Sequence, residues 1–181
     1  MKDLTGIVIP TGDFEQDIKR VRKAFEYNRD NYFGKVPYII SGIGPDINEA
    51  LTSRKAGQDF HMALWNYMTG VSKRPFGVDI NSLNSEDNLV NTFPVGQTGK
   101  YAIVSYSLHL LRFRLLGKRL KKKGAMSKDV QIECVPTKSF FKQTPREIIY
   151  ETLAWGKMLL NPALQSIREF RNNFFKDWEH K

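Results

Sequence analysis

The sequence predicts an α/β fold, a mainly parallel sheet of about five strands between two layers of helices. Three observations lead there. Short apolar or β-branched runs alternate with amphipathic stretches of ten or more residues, the pattern of βαβ crossovers. Nearly every run ends in Gly, Ser, Asn, Asp or Thr, the turn chemistry of a strand that feeds a helix. The 181 residues are 41% hydrophobic and 12% aromatic, enough for one compact core, so 1–181 reads as a single domain.

Residues 7–9, three β-branched side chains, predict the first strand, and Pro10, Thr11, Gly12 and Asp13 its turn. In the next stretch Phe14, Ile18, Val21 and Phe25 recur at helical spacing, which puts Lys19, Arg20, Arg22 and Lys23 on other faces. Residues 36–40 form a second strand stopped by Ser41-Gly42-Ile43-Gly44, and Pro45 opens a helical stretch to about residue 68. A weaker strand at 76–80 precedes a polar turn and a short helix over 86–93, closed by Pro94. Residues 101–105 are the clearest strand. They lead into a helix on which Leu108, Leu111 and Leu115 share one side and Arg114, Lys118 and Lys121 another. Residues 130–135 form the fifth strand, and 147–160 and 163–178 read as closing helices within about 145–178. Such an alternation describes a Rossmann-like sandwich.

Composition excludes several classes. A 26% charged fraction mixed with this much apolar residue excludes a wholly disordered chain, and 13 Gly with 8 Pro exclude collagen-like sequence. Cys134 is the only cysteine, which leaves no internal disulfide or multi-cysteine zinc site and favours a reducing compartment. Neither the opening residues nor 101–111 reads as a signal peptide or membrane span, so a cytoplasmic protein is expected. The formal charge of +9 is concentrated: residues 1–111 hold 12 basic and 12 acidic side chains, while 112–123 hold 7 basic and none acidic. That basic segment suggests nucleic acid or an anionic surface as an alternative partner. A lysine-rich helix end, however, is commonly just solvated and complements the helix dipole, and no aromatic side chains alternate with its lysines to stack on bases.

In a parallel sheet, ligands sit beyond the carboxyl ends of the strands, where helix N-termini point unpaired N–H groups. Four polar groupings follow predicted strands and would gather there. Thr11-Gly12-Asp13 and Ser41-Gly42-Ile43-Gly44 offer close backbone approach, although a third fingerprint glycine and a P-loop lysine are missing. Ser82, Asn84, Ser85, Asp87 and Asn88 are a dense run of short polar side chains. Ser85 or Asn84 can cap the helix and Asp87 can complement its dipole, leaving others for ribose hydroxyls or an amide-bearing ligand. Ser105, His109 and Arg112 open the next helix: an arginine there grips a carboxylate or phosphate, and a histidine shifts a proton. Asp13, Asp79 and Asp87 could meet a hard cation but form no convincing metal cluster. His61 and His180 read as a helix residue and a tail residue. Trp155, Phe174, Phe175 and Trp178 read as core, and Cys134 as inert and buried.

The arrangement Ser82-x-Asn84-Ser85-x-Asp87-Asn88, then Val104-Ser105-x-x-x-His109-x-x-Arg112, resembles the YdcF, SanA and ElyC family, whose function is largely unsettled. The typical pattern there is Ser-x-Asn-Thr-x-Glu-Asn, then Val-Thr-Ser-x-x-His-x-x-Arg, after an earlier Ser-Gly-Gly. The resemblance runs from about residue 7 to 137. Ser85 stands for Thr, Asp87 for Glu and Ile43 for the second Gly, and the first loop is poorer in glycine. The resemblance implies a pocket lined by Ser41, Gly42, Ser82, Asn84, Ser85, Asp87, Asn88, Ser105, His109 and Arg112, with Asp13 and Glu49 as weaker additions. It also implies a nucleotide-like ligand, S-adenosylmethionine among the possibilities. The expected function is binding of a small anionic or nucleotide-like molecule at the sheet edge. An enzyme, hydrolase or transferase, would have His109 moving protons, Arg112 on an anionic group, and Asn88 and Ser82 orienting the ligand.

Overall fold

A computed structural model describes residues 3–11, 14–42, 76–79, 82, 84–138 and 144–160. The chain divides into two compact units, Met1–Gln143 and Thr144–Lys181. The expected helix over 45–68, the one over 163–178, and Asp13, Glu49, His61, Phe174, Phe175, Trp178 and His180 lie outside the described residues.

The first unit is α/β. Strands β1 (Gly6–Pro10), β2 (Tyr38–Ser41), β3 (Phe76–Asp79), β4 (Gly99–Ser105) and β5 (Val130–Pro136) form a sheet in the order β3-β2-β1-β4-β5. All four pairings are parallel. Helices α1 (Phe14–Tyr32), α2 (Ser85–Thr92) and α3 (Ser107–Lys123) complete its described elements. β1 lies inside the sheet and all five of its residues are buried. The strand order runs one way from β1 through β2 to β3 and the other way through β4 to β5, so chain leaving β1 and chain leaving β4 part at a switch point, where an open parallel sheet leaves a crevice.

Alternation divides the strand side chains between two faces. Ile7, Ile9, Ala102, Val104 and Val135 pack with Val21 and Ala24 of α1. On the other face Tyr101 meets Phe93 edge to face, ring centroids 5.0 Å apart, and Phe113, Leu116 and Leu120 of α3 are buried.

The helix faces differ from the periodicity reading. On α1 the fully buried positions are Asp17, Arg20, Val21, Ala24 and Asn28, with Ile18 and Phe25 only partly covered. Arg20, expected to point elsewhere, faces inward. It does so because Asp17 sits one turn earlier on the same face, and an inward guanidinium can pair with that carboxylate while bonding the end of β1. On α3 the buried face is His109, Leu110, Arg112, Phe113, Leu116, Gly117 and Leu120, and the expected stripe is exposed at Leu111 and Leu115. Two leucine stripes compete here. The one that includes Gly117 is buried, with Ile132 and Met126 beside the glycine.

β2 begins at Tyr38 rather than 36, because the Asn28 side chain takes both backbone groups of Val36: Nδ2 donates to its carbonyl at 2.8 Å, and Oδ1 accepts from its N–H at 3.2 Å. Cys134 is half-exposed rather than buried, and partial burial still pushes its thiol pKa up.

In the second unit, helix α4 (Pro145–Leu160) opens with a reciprocal cap: Thr144 N–H donates to Glu147 Oε2 at 2.7 Å, and Glu147 N–H to Thr144 Oγ1. Trp155 is half-buried. Among the described residues no helix is long and apolar enough to cross a membrane.

Candidate functional site

The carboxyl ends of β1, β2, β3 and β4 carry most of the singled-out polar residues, and two hydrogen-bonded groups organise them. The first fixes α2 over the ends of β2 and β3. Ser41 Oγ donates to Asp79 Oδ2 at 2.9 Å, and Ser82 Oγ donates to the same oxygen. Asn91 of α2 reaches Ser82 at 3.0 Å, and Thr92 reaches Ser41 at 3.2 Å. Ser41 and Ser82 are therefore tied to neighbouring side chains, and Asp79 is a structural acceptor between them. Asn84 is the α2 N-cap: Oδ1 accepts from the N–H groups of Glu86 and Asp87 at 2.9 Å each, while Nδ2 donates to the Asp87 carboxylate at 2.8 Å. Asn84 and Asp87 thus work on the helix start, the capping role weighed for them from sequence.

Capping turns the other side of α2 toward the crevice. Ser85 and Asn88, one turn apart, are both buried. Ser85 Oγ lies 3.0 Å from His109 Nε2, and His109 Nδ1 lies 2.9 Å from Ser105 Oγ. The imidazole is 5% exposed and flanked by the Phe113 ring at 4.5 Å and the Tyr106 ring at 5.3 Å. Burial first, then the charges of Arg112 and Arg20, holds its pKa well below the usual histidine value. A neutral imidazole has one N–H and one lone pair, so one serine accepts from the ring and the other donates to it.

Asn88 faces the β2 turn. Among the described residues its Oδ1 is buried without a hydrogen-bond partner, and a side chain placed on Gly42 would meet that oxygen at 3.0 Å and Thr11 Oγ1 at 3.2 Å. Gly42 has φ +97, a conformation other residues adopt only under strain. Gly42→Ala is expected to lose roughly 1–3 kcal/mol of stability from backbone strain alone, read as a lower urea midpoint, and to abolish ligand binding by filling the space beside Asn88. An unchanged midpoint would refute this.

Arg20 was missed as a site residue. Its Nη1 donates to Pro10 O and to Asp17 Oδ1, both at 2.7 Å, and its guanidinium carbon lies 5.6 Å from the centroid of the Tyr106 ring. The legible signal was the i, i+3 pair Asp17–Arg20 between apolar positions. Arg112 was expected both in the pocket and in the basic segment, and it is buried. It therefore leaves the solvent-facing charge, and Lys121 is turned onto the carbonyls of Lys128 and Val130. Arg114, Lys118, Lys122 and Lys123 stay exposed.

Ser41 and Ser105 end strands, and Ser41, Ser82, Ser85, Asn88, Ser105, His109 and Arg112 are all buried. Among the described residues no group of three His, Cys, Asp or Glu could hold a metal ion. No family model, curated protein or solved structure matches the chain.

Proposed function

We propose that the chain is a YdcF-like protein on a Rossmann-like three-layer sandwich, and that it binds a small anionic or nucleotide-like molecule at the C-terminal edge of the parallel sheet. The observation that carries this reading is the buried Asn88 carbonyl oxygen beside Gly42 and Thr11, without a partner among the described residues. A buried acceptor left unmade costs about 1–3 kcal/mol, and a ligand hydroxyl or amine would remove that cost. Positive charge from Arg112 and Arg20, which acts on His109, favours an anionic group on the same molecule. Nucleotides and S-adenosylmethionine combine both kinds of group, and a transferase or hydrolase role for His109 fits the same ligands.

A thermal-shift screen over nucleotides, S-adenosylmethionine, sugar phosphates and divalent ions tests the reading. A ligand present at a hundredfold its Kd adds about 2.7 kcal/mol to the folded state, a rise of several degrees in Tm for a chain of this size. Asn88→Ala and Arg112→Ala should each abolish the rise. A panel without a saturable shift, or a shift that both variants retain, overturns the proposal.

A further inference from the structure

We propose that Ser85 is a nucleophile activated by His109, and that the site hydrolyses small carboxylic esters or thioesters that carry a negative charge. The charged-substrate clause rests on the ligand-binding reading above; the nucleophile assignment stands on geometry alone. Ser85 Oγ is 3.0 Å from His109 Nε2, within reach for proton transfer, and the far ring nitrogen is 2.9 Å from Ser105 Oγ. This serine–histidine–serine line has the layout of nucleophile, base and positioning group. With the ring proton on Nδ1 donated to Ser105, Nε2 keeps its lone pair for the Ser85 hydroxyl.

One further feature suits the chemistry. Ser85 is the first residue of α2, and its cap is supplied by Asn84, so the Ser85 hydroxyl is not consumed in capping and sits at the positive end of the helix.

The step balances with water as the second reactant. The Ser85 proton passes to His109 Nε2 as Oγ bonds to the acyl carbon. The ester C–O or thioester C–S bond then breaks, and the leaving alcohol or thiol takes the proton from His109. In the second half His109 takes a proton from water, the hydroxide attacks the acyl-serine, and the Ser85–acyl bond breaks as Oγ recovers its proton and the carboxylic acid leaves. Arg112, one turn beyond His109 on α3, would attract the substrate's anionic group.

The test is covalent labelling of the full chain with a fluorophosphonate, a probe that phosphonylates activated serines. One adduct is expected, mapped to Ser85 by peptide mass and absent in Ser85→Ala. His109→Gln should slow labelling about a hundredfold or more, and Ser105→Ala about tenfold through loss of ring positioning. No adduct on Ser85 overturns the proposal, as does a labelling rate unchanged in His109→Gln. If His109→Gln shows no cooperative unfolding, Ser105→Ala decides, because it leaves the ring packing in place; a rate equal to that of the unaltered chain counts against. A ligand thermal shift kept by Ser85→Ala alongside absent labelling would refute the nucleophile and spare the binding reading. Labelling of Ser85 without any ligand shift would do the reverse.

Discussion

Arg20→Met is expected to destabilise the chain by about 3–5 kcal/mol, the range for breaking a buried ion pair and leaving one partner behind. Asp17 and the Arg20 side chain are 0% and 4% exposed, so losing the guanidinium removes the buried counter-charge to Asp17. Pro10 O would lose a 2.7 Å bond at the very end of β1. The double variant Asp17→Asn/Arg20→Met should recover most of the loss, since neither charge is then stranded. Urea unfolding of the three chains measures both effects. A single-variant loss below about 1 kcal/mol would show that the pair does not hold the α1–β1 junction.

The second large effect is a pH dependence. His109 feels the charges of Arg112 of its own helix and Arg20 of α1, and meets the neutral hydroxyls of Ser85 on α2 and Ser105 on β4. No carboxylate is among the causes of its shift, and both charges oppose protonation. In the unfolded chain the imidazole takes up a proton near its ordinary pKa of about 6.5, whereas the folded chain refuses it until much lower pH. The contribution to stability is therefore complete above about pH 7. It falls below about 6.5 with a limiting slope of about 1.4 kcal/mol per pH unit, continuing until the lowered folded pKa is reached. His109→Gln should remove that slope between pH 7 and 5, measured as the difference between the two chains in unfolding free energy. A difference that grows in the opposite sense on acidification would mean that the ring is protonated in the fold.

Which parts of this were legible follows from what each signal measures. The strands were readable because a buried parallel strand is a short apolar run with turn residues after it, and all five runs, at 7–9, 36–40, 76–80, 101–105 and 130–135, overlap observed strands. Their ends were not. Asn28 captures Val36 through a side-chain bond that no local pattern reveals. β4 starts at Gly99 because its first residues pair with β5, Gly99 beside Val130, a partner distant in sequence. Helix faces were harder. Periodicity sees apolar residues, so it followed Phe14, Ile18, Val21 and Phe25 and passed over Asp17, Arg20 and Asn28, which are buried because they satisfy one another or nearby backbone.

The candidate site shows the same division. That Ser85, Ser105 and His109 all lie at or beyond strand ends was readable from their positions, and hydrogen bonds join these three. Which of the polar cluster serve the fold was not: Asn84 and Asp87 are spent on the start of α2, and Ser41 and Ser82 on Asp79, through partners that come together only in three dimensions. The serine on either side of the imidazole could not be foreseen either, since Ser85 and Ser105 lie 24 and 4 residues from His109.

The pairing of β1 with β4 also bears on how the molecule comes into being. Thr5 and Lys100, which bond across that seam, are 95 residues apart in the chain. A ribosome must therefore deliver a further 95 residues after Thr5 before this seam can close. Early-made strands wait with open edges meanwhile, a long-range closure that slows folding and exposes nascent chains to aggregation.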